Sequence, residues 1–351
     1  MRRRFDHKTL MNKPEPSVHN LTRRGFLLTG AQAAAGAAVV SIGGASPPAA
    51  AAPAEDKAPV ASTPANPAEM PYGMIGKVKI SRLLLGGNLI GGWMHCRDLI
   101  YVPALFRAYV TEEKILETFR LAEQQGINTV FETGGDYVKK YNQKHKGHLQ
   151  FIPHIQVDAN QSEAALKDHL RELVDTGAVA LYVWGVSADS LVEAGQPEKL
   201  RKAVELAKAT GLPVGVGGHS LQVPVACEKF KVPCDFYVKT LHDDDYPSAT
   251  PKERRTDFMW RHSDRKAYWD NMWCIDPEET IAFFKTVTKP WLAYKVLAAG
   301  AIHPREGFSY AFKNGADFIA VGMFDFQVKE DSELTSKVVR RTQQRERAWC
   351  A

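Results

Sequence analysis

Residues 111–132 read TEEKILETFRLAEQQGINTVFE, a segment that predicts one helix followed by one buried strand. Thr111 is suited to the N-cap of the helix, Glu113 lies in its first turn, and Gly126 ends it. The apolar run at residues 128–132 is short and continuous rather than alternating, which is typical of a parallel strand buried on both faces. This segment therefore predicts one unit of an alternating α/β fold.

The same alternation runs along the chain from Pro71 onward. Apolar strands are predicted near residues 83, 130, 154, 182, 215, 237, 293 and 319, and helices follow most of them, as at residues 162–175 and 197–210. Eight such units in about 280 residues predict a (β/α)₈ TIM barrel that forms a single domain over residues 71–351. The alternative, an open doubly wound sheet, is disfavoured because no G-x-G-x-x-G motif follows the first strand.

Two segments between predicted elements are longer than ordinary βα loops. Residues 241–276 form a long insertion after strand six, and residues 91–109 form a second insertion after strand one. Loops on the C-terminal face of a TIM barrel build its substrate walls and lids. We therefore expect the longer insertion to cover the barrel's C-terminal opening.

The N-terminal segment has the order of an export signal. Residues 22–28 read TRRGFLL, with adjacent Arg23 and Arg24 before an Ala/Gly-rich apolar run and a small-residue stretch. This order predicts a twin-arginine signal peptide over residues 1–52, and the Pro/Ala-rich residues 53–70 predict a linker. A membrane anchor is the alternative, but the run is too short to span a bilayer. We expect a periplasmic or secreted protein, exported by the twin-arginine machinery and without a stable membrane anchor after processing.

The basic composition of the chain comes from this leader. The formal net charge is +5, but the residues through Ala54 hold seven Lys/Arg and two Asp/Glu, which leaves 38 basic and 38 acidic residues. A formally neutral mature chain gives no reason to expect nucleic acid as a partner. The five cysteines include no CxxC pair, so a disulfide framework is not indicated.

Four polar residues are predicted at the C-terminal ends of four different strands, which face one bowl in a TIM barrel. One carboxylate and three imidazoles form a ligand set that suits Zn²⁺, Fe²⁺ or Mn²⁺. The alternative for each single histidine is a polar group satisfied within the core or at the surface. The candidate metal ligands are Glu132, His154, His219 and His242.

Two lysines lie in otherwise apolar strands, where a charge needs a partner or a task. Lys239 belongs to strand six and Lys295 to strand seven. Lys295 could form a Schiff base if burial lowered its pKa. The alternative is a structural salt bridge inside the barrel, for example with Glu132.

The remaining candidates belong to substrate or cofactor binding. Gly300 and Gly322 lie in small-residue segments that resemble the loops closing around phosphate in many barrels. The alternative is that these small residues allow close packing of helix against strand. Arg97 and Asp98 could clamp a substrate or pair with each other. Trp273 is one of several tryptophans near the predicted bowl, where aromatic faces suit sugar rings or a plain apolar lid.

Several segments resemble the aldo-keto reductase superfamily over nearly all of the mature chain. The clearest are residues 79–92 (KISRLLLGGNLIGG), 126–137 (GINTVFETGGDY) and 315–331 (GADFIAVGMFDFQVKED). The resemblance implies NAD(P)-dependent carbonyl reduction, with Tyr137 as the proton donor and Glu132 where the family has aspartate.

The family's other catalytic positions have changed in this chain. Strand three has no lysine before His154, the histidine position of strand four is Gly185, and the Ser-Asn pair of strand five is replaced by Gly217 and Gly218. A closer resemblance, through residues 95–102 (HCRDLIYV) among others, is to a group of twin-arginine-exported barrel proteins of unknown activity.

These observations leave three hypotheses. The first is an exported, metal-dependent barrel enzyme that acts on a small carbonyl or polyol compound, such as a sugar, by lyase, isomerase or hydrolase chemistry. In it, Tyr137, Lys239 or Lys295 would move protons. The second is an NAD(P)-dependent oxidoreductase of the aldo-keto type. The third is a binding barrel without catalysis.

Overall fold

The computed structural model describes residues 70–258 and 270–351, and eight parallel strands close into a barrel in these ranges. A β-hairpin, β1 (Tyr72–Ile75) and β2 (Val78–Ser81), precedes the barrel. The predicted (β/α)₈ fold is confirmed. The barrel strands are β3 (Leu83–Gly86), β4 (Thr129–Glu132), β5 (Gln150–Ile155), β6 (Leu181–Val183), β7 (Val214–Gly218), β8 (Phe236–Thr240), β9 (Trp291–Tyr294) and β10 (Phe318–Val321).

Helices alternate with these strands and surround the barrel. Thr111 and Ser162 cap the first residues of two of them, because each hydroxyl accepts a hydrogen bond from the backbone N–H three residues later. The helices are α1 (Val102–Tyr109), α2 (Glu112–Gln124), α3 (Gly135–His145), α4 (Glu163–Asp175), α5 (Gly185–Glu193), α6 (Pro197–Lys208), α7 (Gln222–Lys229), α8 (Pro277–Phe284), α9 (Pro304–Lys313) and α10 (Val328–Arg341).

The hairpin closes the N-terminal end of the barrel. Its side chains Ile75 and Ile80 are fully buried in the same cluster as Phe236 and Phe318, which are the first residues of their strands. A separate, larger apolar layer lies between the strands and the surrounding helices. Polar side chains lie instead at the C-terminal ends of the strands, as in other TIM barrels.

A buried ionic network fastens β10 to the residues that follow α10. Asp317, directly before β10, is fully buried, and its carboxylate oxygens lie 2.8 Å from Arg345 Nη2 and 2.8 Å from Arg347 Nη1. The same carboxylate accepts hydrogen bonds from the backbone N–H of Trp291 and of Cys350 at 2.9 Å each. One carboxylate therefore joins β9, β10 and the segment after α10.

The predicted signal peptide and the first 17 residues of the predicted linker lie outside the described residues. In the described part of the chain, no helix combines the length and the apolar character needed to cross a membrane. The long insertion after β8 is described at residues 241–258 and 270–276.

Candidate active site

A cavity of about 260 Å³ lies at the C-terminal ends of the barrel strands. Its walls are mostly apolar, and its lysine, carboxylate and imidazole side chains are Lys295 from the end of β9, Glu132 from the end of β4, and His95 from the insertion after β3. Trp273, from the long insertion after β8, also lines it. Both predicted insertions therefore contribute walls to this cavity.

Lys295 directly follows the last residue of β9 and adopts the left-handed backbone conformation, with a φ of 58°. This conformation ends the strand one residue before the lysine, whereas the sequence pattern predicted a strand through Val296. The Nζ atom lies 3.0 Å from His95 Nε2 and 4.1 Å from the centroid of the Trp273 ring. Burial lowers the pKa of Lys295 to about 8, although the negative charges of Glu132 and Asp270 oppose this shift.

His95 connects Lys295 to a carboxylate. Its Nδ1 lies 2.9 Å from Asp270 Oδ1, so the proton of the neutral ring is placed on Nδ1 and donated to the carboxylate. The Nε2 atom is then an acceptor directed at Lys295. Burial lowers the pKa of His95, and the neighbouring Lys295 lowers it further, while Asp270 opposes both effects. The three groups form a chain along which a proton can leave the lysine ammonium.

Glu132 ends β4 in a left-handed conformation, with a φ of 81°. Its Oε1 accepts a hydrogen bond from Trp184 Nε1 at 3.0 Å, which fixes the carboxylate at the cavity wall. Left-handed backbone is uncommon for residues other than glycine and is found preferentially at functional sites. Glu132 and Lys295 both carry this feature, and both line the same cavity.

The four predicted metal ligands do not form a shared shell. His154 Nδ1 lies 3.2 Å from the backbone oxygen of Glu132, and its ring stacks on Trp184. His219 Nδ1 lies 2.8 Å from Asp189 Oδ2, a fully buried carboxylate on α5. Throughout residues 70–258 and 270–351, no group of three or more His, Cys, Asp or Glu side chains is arranged to hold a metal ion.

His242 makes structural hydrogen bonds with both ring nitrogens, which do not support its predicted role as a metal ligand. Its Nδ1 donates to the backbone oxygen of Asp243 at 2.7 Å, and its Nε2 accepts from the backbone N–H groups of Trp273 and Cys274 at 3.1 and 2.9 Å. Neither ring nitrogen is left for a metal. Burial lowers the pKa of His242 to about 4, which keeps the ring neutral and able to accept these bonds.

The His242→Ala variant is expected to lower the free energy of unfolding by about 2–4 kcal/mol, because two buried backbone N–H groups lose their acceptor. Urea unfolding followed by circular dichroism measures the change. The matched control is His148→Ala, at an exposed histidine, for which we expect less than about 0.5 kcal/mol. Equal effects of the two substitutions would contradict the structural role.

Two predicted catalytic residues lie away from the cavity. Lys239 is buried, but its Nζ donates to the backbone oxygen and the hydroxyl of Thr240 at 3.0 Å, and it lies 4.0 Å from Cys274 Sγ. Adjacent strand residues point to opposite faces, and its neighbour Val238 belongs to the barrel interior. Tyr137 packs against the outer apolar layer. Neither residue lines the cavity with Lys295.

The predicted binding residues divide into two groups. Trp273, Gly300 and Gly322 line the cavity that holds Lys295. Arg97 is exposed and lines an adjoining cavity with His95, while Asp98 is exposed on the same insertion. His95 and Asp270 were missed as site residues. His95 lies within a segment that the sequence analysis noted, but its partner is 175 residues away, and no local pattern joins them.

No family model and no curated protein sequence matches this chain. Two solved structures of candidate aldo-keto reductases from Pseudomonas aeruginosa are similar to this chain. One is 14% identical with a TM-score of 0.52 and covers 77% of this chain and 94% of that chain. The other is 13% identical with a TM-score of 0.51, and the match covers 76% of this chain and 96% of that chain. The similarity shows a fold shared with aldo-keto reductase-like barrels.

Proposed function

We propose that this protein is an enzyme that forms a Schiff base between Lys295 and the carbonyl group of a small molecule. The observation that carries the proposal is the position of Lys295 Nζ: it lies in the cavity, 3.0 Å from the acceptor nitrogen of His95. With a pKa of about 8, roughly a tenth of Lys295 is a neutral amine at pH 7, against less than about a thousandth for an ordinary lysine.

The proposed reaction begins with transfer of a proton from the Lys295 ammonium to His95 Nε2, while Asp270 stabilises the imidazolium through Nδ1–H. The amine attacks the carbonyl carbon, the carbonyl electron pair moves to oxygen, and a proton moves from the nitrogen to that oxygen, so that a carbinolamine forms. His95 returns its proton to the hydroxyl group as it leaves, so that one water molecule and an iminium ion result. The carboxylate of Glu132 is the negative charge at the cavity wall that offsets the iminium charge.

An iminium ion withdraws electrons from the adjacent carbon atoms. It therefore supports cleavage or formation of a carbon–carbon bond, or loss of a β-hydroxyl group, which are reactions of the lyase class. Asp270 and His95 would act as the proton relay, and Glu132 as a second acid–base group of the cavity. The predicted twin-arginine signal supports the further proposal that the enzyme is exported in its folded state.

The positions that hydride transfer uses in the aldo-keto reductase family do not favour this alternative. Tyr137, the expected proton donor, packs in the outer layer. At Gly185, where the family places a histidine, even a Cβ atom would lie 2.9 Å from the Tyr294 hydroxyl oxygen. At Gly217, a Cβ atom would lie 2.8 Å from the backbone nitrogen of Gly185. The backbone therefore leaves no space for a side chain at Gly217, and a side chain at Gly185 would require Tyr294 to move.

Reductive trapping tests the proposal. Incubation of the full chain with 3-hydroxybenzaldehyde and sodium borohydride converts an iminium ion to a stable secondary amine, which adds a defined mass. We expect one equivalent per chain, and peptide mapping should place it on Lys295. Label spread over many surface lysines, or absent from Lys295, would contradict the proposed function.

The initial rate of this trapping is expected to rise about tenfold per pH unit below pH 8 and to level off above it. The reason is that the nucleophile is the neutral amine, which is populated above the lowered pKa of about 8. Labelling of exposed lysines should instead keep rising towards pH ~10, the ordinary lysine range. Rates at Lys295 that follow the exposed lysines would show that its pKa is not lowered.

A further inference from the structure

The charged side chains that line the cavity balance when it holds an iminium ion. Among the described residues that line it, Lys295 is the only lysine or arginine and Glu132 is the only aspartate or glutamate. Burial lowers the pKa of His95, which keeps that ring neutral. An iminium at Lys295 and the carboxylate of Glu132 together carry no net charge. A phosphate or carboxylate on the substrate would add a negative charge without a partner.

Apart from the polar side chains of Asn88, Tyr294 and Gln327, the uncharged part of the cavity is apolar and aromatic. Leu89, Met94, Phe131, Leu297 and Phe324 contribute to its walls. Such walls suit the hydrocarbon body of a ligand and do not solvate an anion.

Glu132 provides the one carboxylate among the described residues that line the cavity. A carboxylate has about four acceptor positions, and the Trp184 indole N–H occupies one of them. A carboxylate accepts hydrogen bonds but donates none when it is ionised, so its natural ligand partner is a hydroxyl group. A ligand carboxylate in the same place would face it as a like charge.

From these three observations we infer that the cavity selects an uncharged aldehyde or ketone with an apolar body and a hydroxyl group directed at Glu132. The inference rests on the proposed function for the position of the carbonyl carbon at Lys295. It assigns Glu132 as a specificity-determining residue that rejects phosphorylated and carboxylated compounds. Arg97, a candidate partner for an anion, is exposed and lines only the adjoining cavity, which shares His95, Ala299 and Gly300 with this one.

Binding of unreactive alcohols tests the selectivity separately from Schiff-base formation. The probes are 3-hydroxybenzyl alcohol, benzyl alcohol and 3-(hydroxymethyl)benzoate, which share one ring and have no carbonyl group that reacts with an amine. Titration calorimetry and quenching of tryptophan fluorescence both report binding, since Trp93 and Trp273 line the cavity. We expect the hydroxylated probe to bind more tightly than benzyl alcohol, and the benzoate to bind at least ~30-fold more weakly than the hydroxylated probe.

The Glu132→Gln variant removes the charge while its side-chain oxygen can still accept from Trp184. We expect the ratio of the dissociation constants of the benzoate and the hydroxylated probe to fall by at least ~10-fold in this variant. Equal or tighter binding of the benzoate to the wild-type chain would overturn the inference, whether or not the variant folds. If Lys295 were not trapped but the three alcohols bound in the expected order of affinity, only the proposed function would be contradicted. If Lys295 were trapped but the alcohols did not bind in that order, only the inferred selectivity would be contradicted.

Discussion

The Lys295→Met variant is expected to form the reduced aldehyde adduct at least ~100-fold more slowly than the wild-type chain, because it lacks the proposed nucleophile. Methionine has a similar length and no charge, so the cavity keeps its approximate volume. The measurement is the rate of mass increase during trapping with 3-hydroxybenzaldehyde and borohydride. It is made at pH 8, where about half of the amine is neutral if its pKa is about 8.

Lys239→Met is the matched control. Lys239 is also a buried lysine on a barrel strand, but it lies outside the cavity and hydrogen-bonds to Thr240. We expect this variant to be trapped at Lys295 at the wild-type rate. If Lys295→Met were trapped as fast as the control, Lys295 would not be the nucleophile. Circular dichroism verifies that both variants are folded, and replacing a buried charge with an apolar side chain is often neutral or stabilising.

The Asp317→Ala variant is expected to lower the free energy of unfolding by about 3–5 kcal/mol, because it leaves two buried guanidinium groups without their carboxylate. Arg345 and Arg347 both pair with Asp317 at 2.8 Å, and their side chains are 1% and 3% exposed. The backbone N–H groups of Trp291 and Cys350 lose an acceptor as well. Urea unfolding of the full chain measures the loss.

The control for this prediction is Asp168→Ala. Asp168 pairs with Arg171 on α4, where the two side chains are 61% and 76% exposed. A surface pair of this kind contributes at most about 0.5 kcal/mol. If the Asp317 variant lost no more stability than the Asp168 variant, the buried network would not fasten the strands that it joins.

The fold could be predicted from the sequence because its signals are local. Buried parallel strands are short apolar runs, and helices such as α2 begin at a capping hydroxyl and end near a glycine, all within about 15 residues of each other. The strand ends were less accurate. Except for Lys295, the apolar pattern of this strand continues to Val296, but the left-handed conformation at Lys295 ends β9 at Tyr294, and the side-chain pattern does not reveal that conformation.

The candidate site could be predicted only in part. The rule that strand ends face one bowl placed Glu132 and Lys295 at one cavity. The same rule treated His219 and His242 as available ligands, although Asp189 contacts Nδ1 of His219 and backbone groups occupy both ring nitrogens of His242. Most of those partners are distant in sequence, so the residues around each histidine do not indicate these hydrogen bonds.

The left-handed backbone at Glu132 and Lys295 has a consequence for protein engineering. Residues other than glycine are strained in this conformation, so a glycine at either position would relieve the backbone strain. Directed evolution for heat resistance alone would therefore favour the loss of both side chains, and with them the proposed chemistry. A library built to make this barrel more thermostable should hold these two positions fixed and place its diversity in the outer helices.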